Sequence, residues 1–246
     1  MNKKILITLL THSNSIDRLK ACLQTWCKSI KDKHELIILG DSQMEDNFSG
    51  FEVFKALEKE CYTDLPFKIF KSFSHCLSKD WDFLVKIDDD AYLSMDRLES
   101  FLKSEGDSLS YCGSPVIWEN NKIVSNHINR LDSYPDQPQS FPKNLWKNGN
   151  RAYAQGGCYI LSRKALSHSI KYFDPKNAVD KAEDAMVGKA LFLSDLAFQN
   201  RPDLFLNSNS INDYALNWFV KHNYISFHKV SSDHIKKIHE LYYHEK

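Results

Sequence analysis

The chain has 246 residues, with 32 Lys and Arg balanced by 32 Asp and Glu. That length buries a sizeable core, and the charge balance leaves no basic face for nucleic acid. Aromatics make up 13% against only 8 Gly and 7 Pro, which excludes a disordered or collagen-like chain.

Ile5 to Leu10 is an unbroken apolar run. It falls far short of the roughly 20 residues that span a bilayer, and Thr11-His12-Ser13-Asn14 offers no clean cleavage site. A buried first strand is predicted, in a cytoplasmic chain at most peripheral to the inner membrane face. Ile16, Leu19, Cys22, Leu23, Trp26 and Ile30 recur at helical spacing, predicting one helix over about 14–30. Leu36 to Leu39 reads as a second buried strand closing in Gly40-Asp41, which completes a right-handed βαβ unit. After a polar stretch, a helix is predicted over 65–77, with Pro66 tolerated in its first turn. Trp81 to Ile87 is the next strand and runs straight into Asp88-Asp89-Asp90. A helix over 94–104 and an extended stretch over 111–118 follow. Residues 119–150, rich in Asn, Pro, Asp and Gln, read as a binding loop, with Trp118, Tyr134 and Trp146 available to stack on sugar rings. A strand over 153–161, helices over 162–172 and 181–194, a short strand over 224–227 and a charged terminal helix complete the chain. The fold class is α/β, a mixed sheet flanked by helices in a single domain over 1–246. The six cysteines (Cys22, Cys27, Cys61, Cys76, Cys112, Cys158) contain no Cys-x-x-Cys pair, so a structural zinc site is not expected and buried, reduced thiols are.

Three features carry chemistry. Asp88-Asp89-Asp90 follows an apolar strand, and ligands of open α/β sheets gather beyond such strand ends. Adjacent carboxylates repel one another unless a cation lies between them, and their hard oxygens suit Mg²⁺ or Mn²⁺. The bland alternative is a solvated turn capping the next helix. Glu183-Asp184 opens a helix, where the helix dipole favours acids. Asp180 and Glu183 have capping-box spacing, which leaves Asp184 free as a general base toward an acceptor hydroxyl. His228 ends a short strand and could complete a cation site as neutral imidazole, or be an ordinary surface or core histidine. Gly156-Gly157 marks a bulge, a turn or a close backbone approach. Walker, Gly-x-Gly-x-x-Gly, nucleophile-elbow and His-Glu-x-x-His motifs are missing, which argues against the commonest hydrolases and dehydrogenases.

Six segments in order resemble the Fringe and β-1,3-galactosyltransferase/N-acetylglucosaminyltransferase family. They are Arg18-x-x-Ala21-x-x-x-Thr25-Trp26, Tyr62-x-x-Leu65-x-x-Lys68, the DxD segment Lys86 to Leu98, Tyr153 to Ser162 around Gly156-Gly157, Glu183-Asp184-Ala185-Met186-Val187-Gly188, and Phe227-His228-Lys229-Val230. The resemblance implies a GT-A fold, with a nucleotide-sugar half over 1–118 and an acceptor and catalytic half over 119–246. It implies a UDP-sugar donor, inversion at the anomeric carbon and a β-1,3 linkage. Asp90 and His228 would bind Mn²⁺ or Mg²⁺, and Asp184 would be the base. Thr11, Arg18, Asp41, Lys68, Asp88, Asp89, Gly156 and Gly157 are the expected donor contacts. Leu23, Asp64 and Cys158 depart from the family pattern and bear on donor and acceptor preference more than on reaction type. The acceptor is expected to be an oligosaccharide, polysaccharide or lipid-linked glycan, and no protein partner is implied. The rivals are an inactive carbohydrate-binding protein on the same scaffold and a metal-dependent phosphohydrolase.

Overall fold

The run Ile5 to Leu10 forms β1 (Ile5–Leu10), the strand around which the protein is wound. It pairs in parallel with β2 (Glu35–Gly40) on one side and β5 (Phe83–Asp88) on the other. Its side chains alternate between two cores: Ile5, Ile7 and Leu9 enter one, and Leu6 enters the other. A strand covered on both faces must be apolar throughout, which is why the sequence shows a run and not an alternation.

The computed structural model describes residues 3–30, 32–58, 64–119, 122–126, 139–140, 151–173, 182–196, 198–208 and 211–244. The remaining β-strands are β3 (Asn47–Phe48), β4 (Phe51–Lys55), β6 (Ala91–Leu93), β7 (Tyr111–Glu119), β8 (Lys122–Asn126), β9 (Gln139–Ser140), β10 (Arg151–Ser162), β11 (Phe198–Asn200), β12 (Phe205–Asn207) and β13 (Ser226–His228). The helices are α1 (Ile16–Gln24), α2 (Leu65–Cys76), α3 (Met95–Glu105), α4 (Arg163–Tyr172), α5 (Glu183–Leu193), α6 (Asp213–Lys221) and α7 (Ser232–His244). The large sheet runs β3-β4-β2-β1-β5-β10-β7-β11-β9, with β8 also on β7. One face packs α1, α3, α6 and α7, and the other packs α2, α4 and α5. A small second sheet has the order β12-β13-β6.

This order makes a switch point. From β1 the chain passes through α1 to β2 and on to β4, then returns through α2 on the opposite face to β5, at β1's other edge. A crevice opens where the winding reverses, beyond the carboxyl ends of β1 and β5. Thr11 and Asp88-Asp89-Asp90 occupy those ends, and Asp89 N–H donates to Leu10 O at 3.0 Å.

Several expected elements change. The predicted helix over 14–30 breaks at Thr25, whose hydroxyl donates back to Ala21 O at 2.6 Å and whose ψ is −109°; such back-bonding competes with the helical ladder. The predicted strand over 224–227 is shifted to 226–228. The polar stretch after β2 holds β3 and β4. Within 119–150, β8 and β9 replace part of the expected loop, and its other residues, Tyr134 and Trp146 among them, lie outside the described residues, as do the Trp118 side chain, Tyr62, Cys61 and Asp180. Among the described residues no helix is long and apolar enough to cross a membrane, and Cys22, Cys27, Cys76, Cys112 and Cys158 are free, buried thiols.

Candidate active site

A cavity of about 460 Å³ sits at the switch point, within the range that holds small-molecule ligands. Its walls include Thr11, Arg18, Asp41, Lys68, Asp88, Asp89 and Asp90. Six of the eight expected donor contacts thus meet here. Asp41 closes β2 and accepts from Ser13 N–H and Oγ, both at 2.8 Å, and from Gln43 N–H at 3.0 Å. Burial alone would raise its carboxyl, but these donors outweigh it and hold the group below the ordinary range. Lys68, almost wholly buried, donates to Thr11 O at 3.0 Å.

The three aspartates have different surroundings. Asp88 accepts from Lys86 Nζ at 2.6 Å. Asp89 turns inward, accepting from Thr11 Oγ1 at 2.6 Å and pairing with Arg18 Nε at 3.1 Å; burial nevertheless pushes its carboxyl up to about 6. Asp90 faces His228, whose Nε2 is 3.2 Å from Asp90 Oδ1 and 4.0 Å from Asp88 Oδ2. Burial works to raise Asp90, yet His228, Arg18 and Lys86 together hold it below the ordinary carboxylate range.

The small sheet is what delivers His228. β6 begins directly after Asp90 and pairs with β13, setting His228 opposite Ala91. Lys229 then takes a left-handed backbone (φ 67°), uncommon for a side chain with a Cβ, and the chain turns so that Val230 N–H donates to Asp90 O at 2.9 Å. Asp88, Asp90 and His228 each offer a ligand atom, all within 4.8 Å of one another. His228 Nε2 approaches Asp90 Oδ1 without hydrogen-bond alignment, so Asp90 Oδ1 is buried with no hydrogen-bond donor. A carboxylate oxygen in that position fits a hard divalent cation shared with the neighbouring imidazole.

Gly156 and Gly157 do not line the cavity; they pack against His228 and the first turn of α5. A Cβ on Gly157 would lie 2.3 Å from His228 Cγ and Nδ1, and one on Gly156 would lie 2.8 Å from Glu183 Oε1. The strand therefore approaches the histidine and α5 closely, which only glycine permits. The Gly156 N–H donates to Asp184 Oδ2 at 2.9 Å, and the Ala185 N–H donates to Asp184 Oδ1 at 2.8 Å. Asp184 is half-buried, and burial raises its carboxyl against the pull of those donors and of Lys86.

The capping-box reading of Glu183 is overturned. The N-cap of α5 is Ala182, and Glu183 points into the core, 4% exposed. There it accepts from Lys86 Nζ at 2.8 Å and Tyr159 Oη at 3.1 Å. Lys86, 1% exposed, also donates to the Gly156 carbonyl. Burial alone would lower its pKa, but Asp88 and Glu183 more than offset that and keep the ammonium charged. One cation thereby ties β5, β10 and α5 together. The sequence reading missed this role for Lys86 because nothing in an apolar strand says which way its single lysine turns.

A family model described as Galactosyltransferase matches residues 53–202, more than half of the chain. The chain belongs to the galactosyltransferase family. It is accordingly a glycosyltransferase, and its α/β architecture is of the GT-A type. The match spans the aspartate triplet, Gly156-Gly157 and Asp184; Thr11, Arg18, Asp41 and His228 lie outside it. A comparison with curated proteins finds no match.

Proposed function

We propose that this protein is an inverting, metal-dependent transferase that moves a hexose or N-acetylhexosamine from a UDP-sugar to a carbohydrate hydroxyl, forming a β-1,3 linkage as in the Fringe-like enzymes. The observation that carries the reading is the meeting of Asp88 and Asp90, which line the 460 Å³ cavity, with His228, their ligand atoms all within 4.8 Å of one another. Asp90 and His228, with Asp88 adjacent, would hold Mn²⁺ or Mg²⁺, and the ion would supply charge neutralisation for the leaving diphosphate. Arg18 and Lys68 add positive charge to the cavity wall, and Asp41 and Thr11 orient the nucleoside end. Asp184 takes the proton of the acceptor hydroxyl as that oxygen bonds to the anomeric carbon and the bond to UDP breaks. Its backbone donors fix both carboxylate oxygens, which suits a base that must not swing. The acceptor is an oligosaccharide, polysaccharide or lipid-linked glycan.

A UDP-release screen across donors, with Mn²⁺ and then with EDTA, tests the reading. Release is expected with one sugar nucleotide in Mn²⁺ and none in chelator; full turnover in chelator removes the metal from the reaction. Asp184→Asn should reduce kcat by at least about 100-fold, the range of general-base effects, with UDP binding unchanged by calorimetry. Because the Asp184 carboxyl lies above its ordinary value near 3.8, it protonates earlier as pH falls. The acid limb of kcat should therefore sit above that value and disappear with the residual activity of the Asn variant.

A further inference from the structure

We infer that Asn207, a residue outside the aspartate, Glu-Asp and His segments, is a positioning residue that sets the tautomer of His228 and so decides whether this histidine can take a cation. This rests on the metal reading above. Asn207 ends β12, directly opposite His228 in the parallel β12–β13 pairing, so both side chains leave the small sheet on one face. It is 3% exposed, and its Oδ1 lies 2.9 Å from His228 Nδ1. A carbonyl oxygen only accepts, so the proton of that bond sits on Nδ1. The other ring nitrogen, Nε2, is the one that faces Asp90 and Asp88. In the neutral ring it carries the lone pair, which is what a metal ligand requires.

The amide could bind the ring in only one other way. With Nδ2 toward the ring, Asn207 would donate to Nδ1 and the proton would move to Nε2. An N–H there would gain no aligned bond, since Asp90 Oδ1, 3.2 Å away, lacks a hydrogen-bond donor, and it would leave no lone pair facing the carboxylates. Gly157 closes the third side: its α-carbon lies so near the ring that a methyl would overlap Cγ and Nδ1. Asn207 fixes the ring's rotation and protonation, and Gly157 fixes its plane.

Titrating Mn²⁺ into protein with UDP present, and following free Mn²⁺ by electron paramagnetic resonance, reads the site without turnover. Asn207→Leu, which keeps volume but removes the acceptor, should weaken Mn²⁺ uptake about 10- to 100-fold, the usual cost of losing such a partner. Asn207→Asp, which can only accept, should restore uptake to near the wild-type level. Equal uptake by wild type and the Leu variant, or failure of Asp to rescue it, overturns the role of Asn207 while leaving the metal site standing. A wild-type protein that takes up no Mn²⁺ overturns both. Should the Leu variant fail to fold, ¹⁵N resonance of the His228 imidazole in the wild type with Mg²⁺ and UDP answers the same question: a proton on Nδ1 supports the role, and one on Nε2 refutes it.

Discussion

Gly157 shows how one hydrogen atom in place of a methyl can hold a site together. Its backbone is ordinary for a strand and could accept any residue; what forbids a side chain is the imidazole of His228, 2.3 Å from where a Cβ would be. His228 has nowhere to retreat, since Asn207 holds Nδ1 and Asp90 faces Nε2. Gly157→Ala should therefore displace the ring and leave the strand pairing intact. The expected outcome is a folded protein by circular dichroism that loses Mn²⁺ uptake by about tenfold or more, the scale of disturbing a ligand's support. Wild-type uptake in the Ala variant would show that the ring can shift without leaving the site. Gly50 is the contrast: its φ of 88° favours glycine for backbone reasons, with open space around it.

At the level of elements, Lys86 holds three of them to one point. It lies on β5, its partners lie on β10 and α5, and it and Glu183 are both sealed from water. Breaking a buried pair from one side leaves the other charge stranded, at a cost of about 3–5 kcal/mol. Lys86→Met should destabilise by that order in urea titration, and a change below about 1 kcal/mol would mean Glu183 finds another partner or water. Such a tie was not legible in the chain beforehand, although much else was. The runs that make β1, β2 and β5 are unmistakable because burial on both faces demands them. Helices α2, α3 and α4 follow the apolar spacing to within a residue or two. The three-residue strands β6, β12 and β13 are too short to show a period, and they are the elements that carry His228 to Asp90 and Asn207 to His228. The acidic pair Glu183-Asp184 was visible, but its division of labour was not. Helix-dipole and capping arguments concern the helix alone, whereas the direction of Glu183 is decided by a lysine nearly a hundred positions earlier.

Across the whole molecule, the proposed cation site lies where the two sheets join. β5 belongs to the large sheet and β6 and β13 to the small one; Asp88 ends β5, the candidate ligand Asp90 lies in the turn between the sheets, and His228 ends β13 opposite Ala91. A cation there binds only when both sheets are assembled, because the unfolded chain does not bring residues 88–90 to residue 228. Binding to the native state alone stabilises by RT ln(1 + [L]/Kd), about 2.7 kcal/mol at a hundredfold excess over Kd. For a domain of this size that corresponds to a rise in Tm of about 5–10 °C. Thermal melts with Mn²⁺ and UDP against EDTA and UDP should show such a rise in the wild type and none in His228→Ala. An equal rise in both would place the stabilising cation elsewhere, and the joint between the sheets would then be held by β6–β13 pairing and the Val230–Asp90 backbone bond without help from a metal.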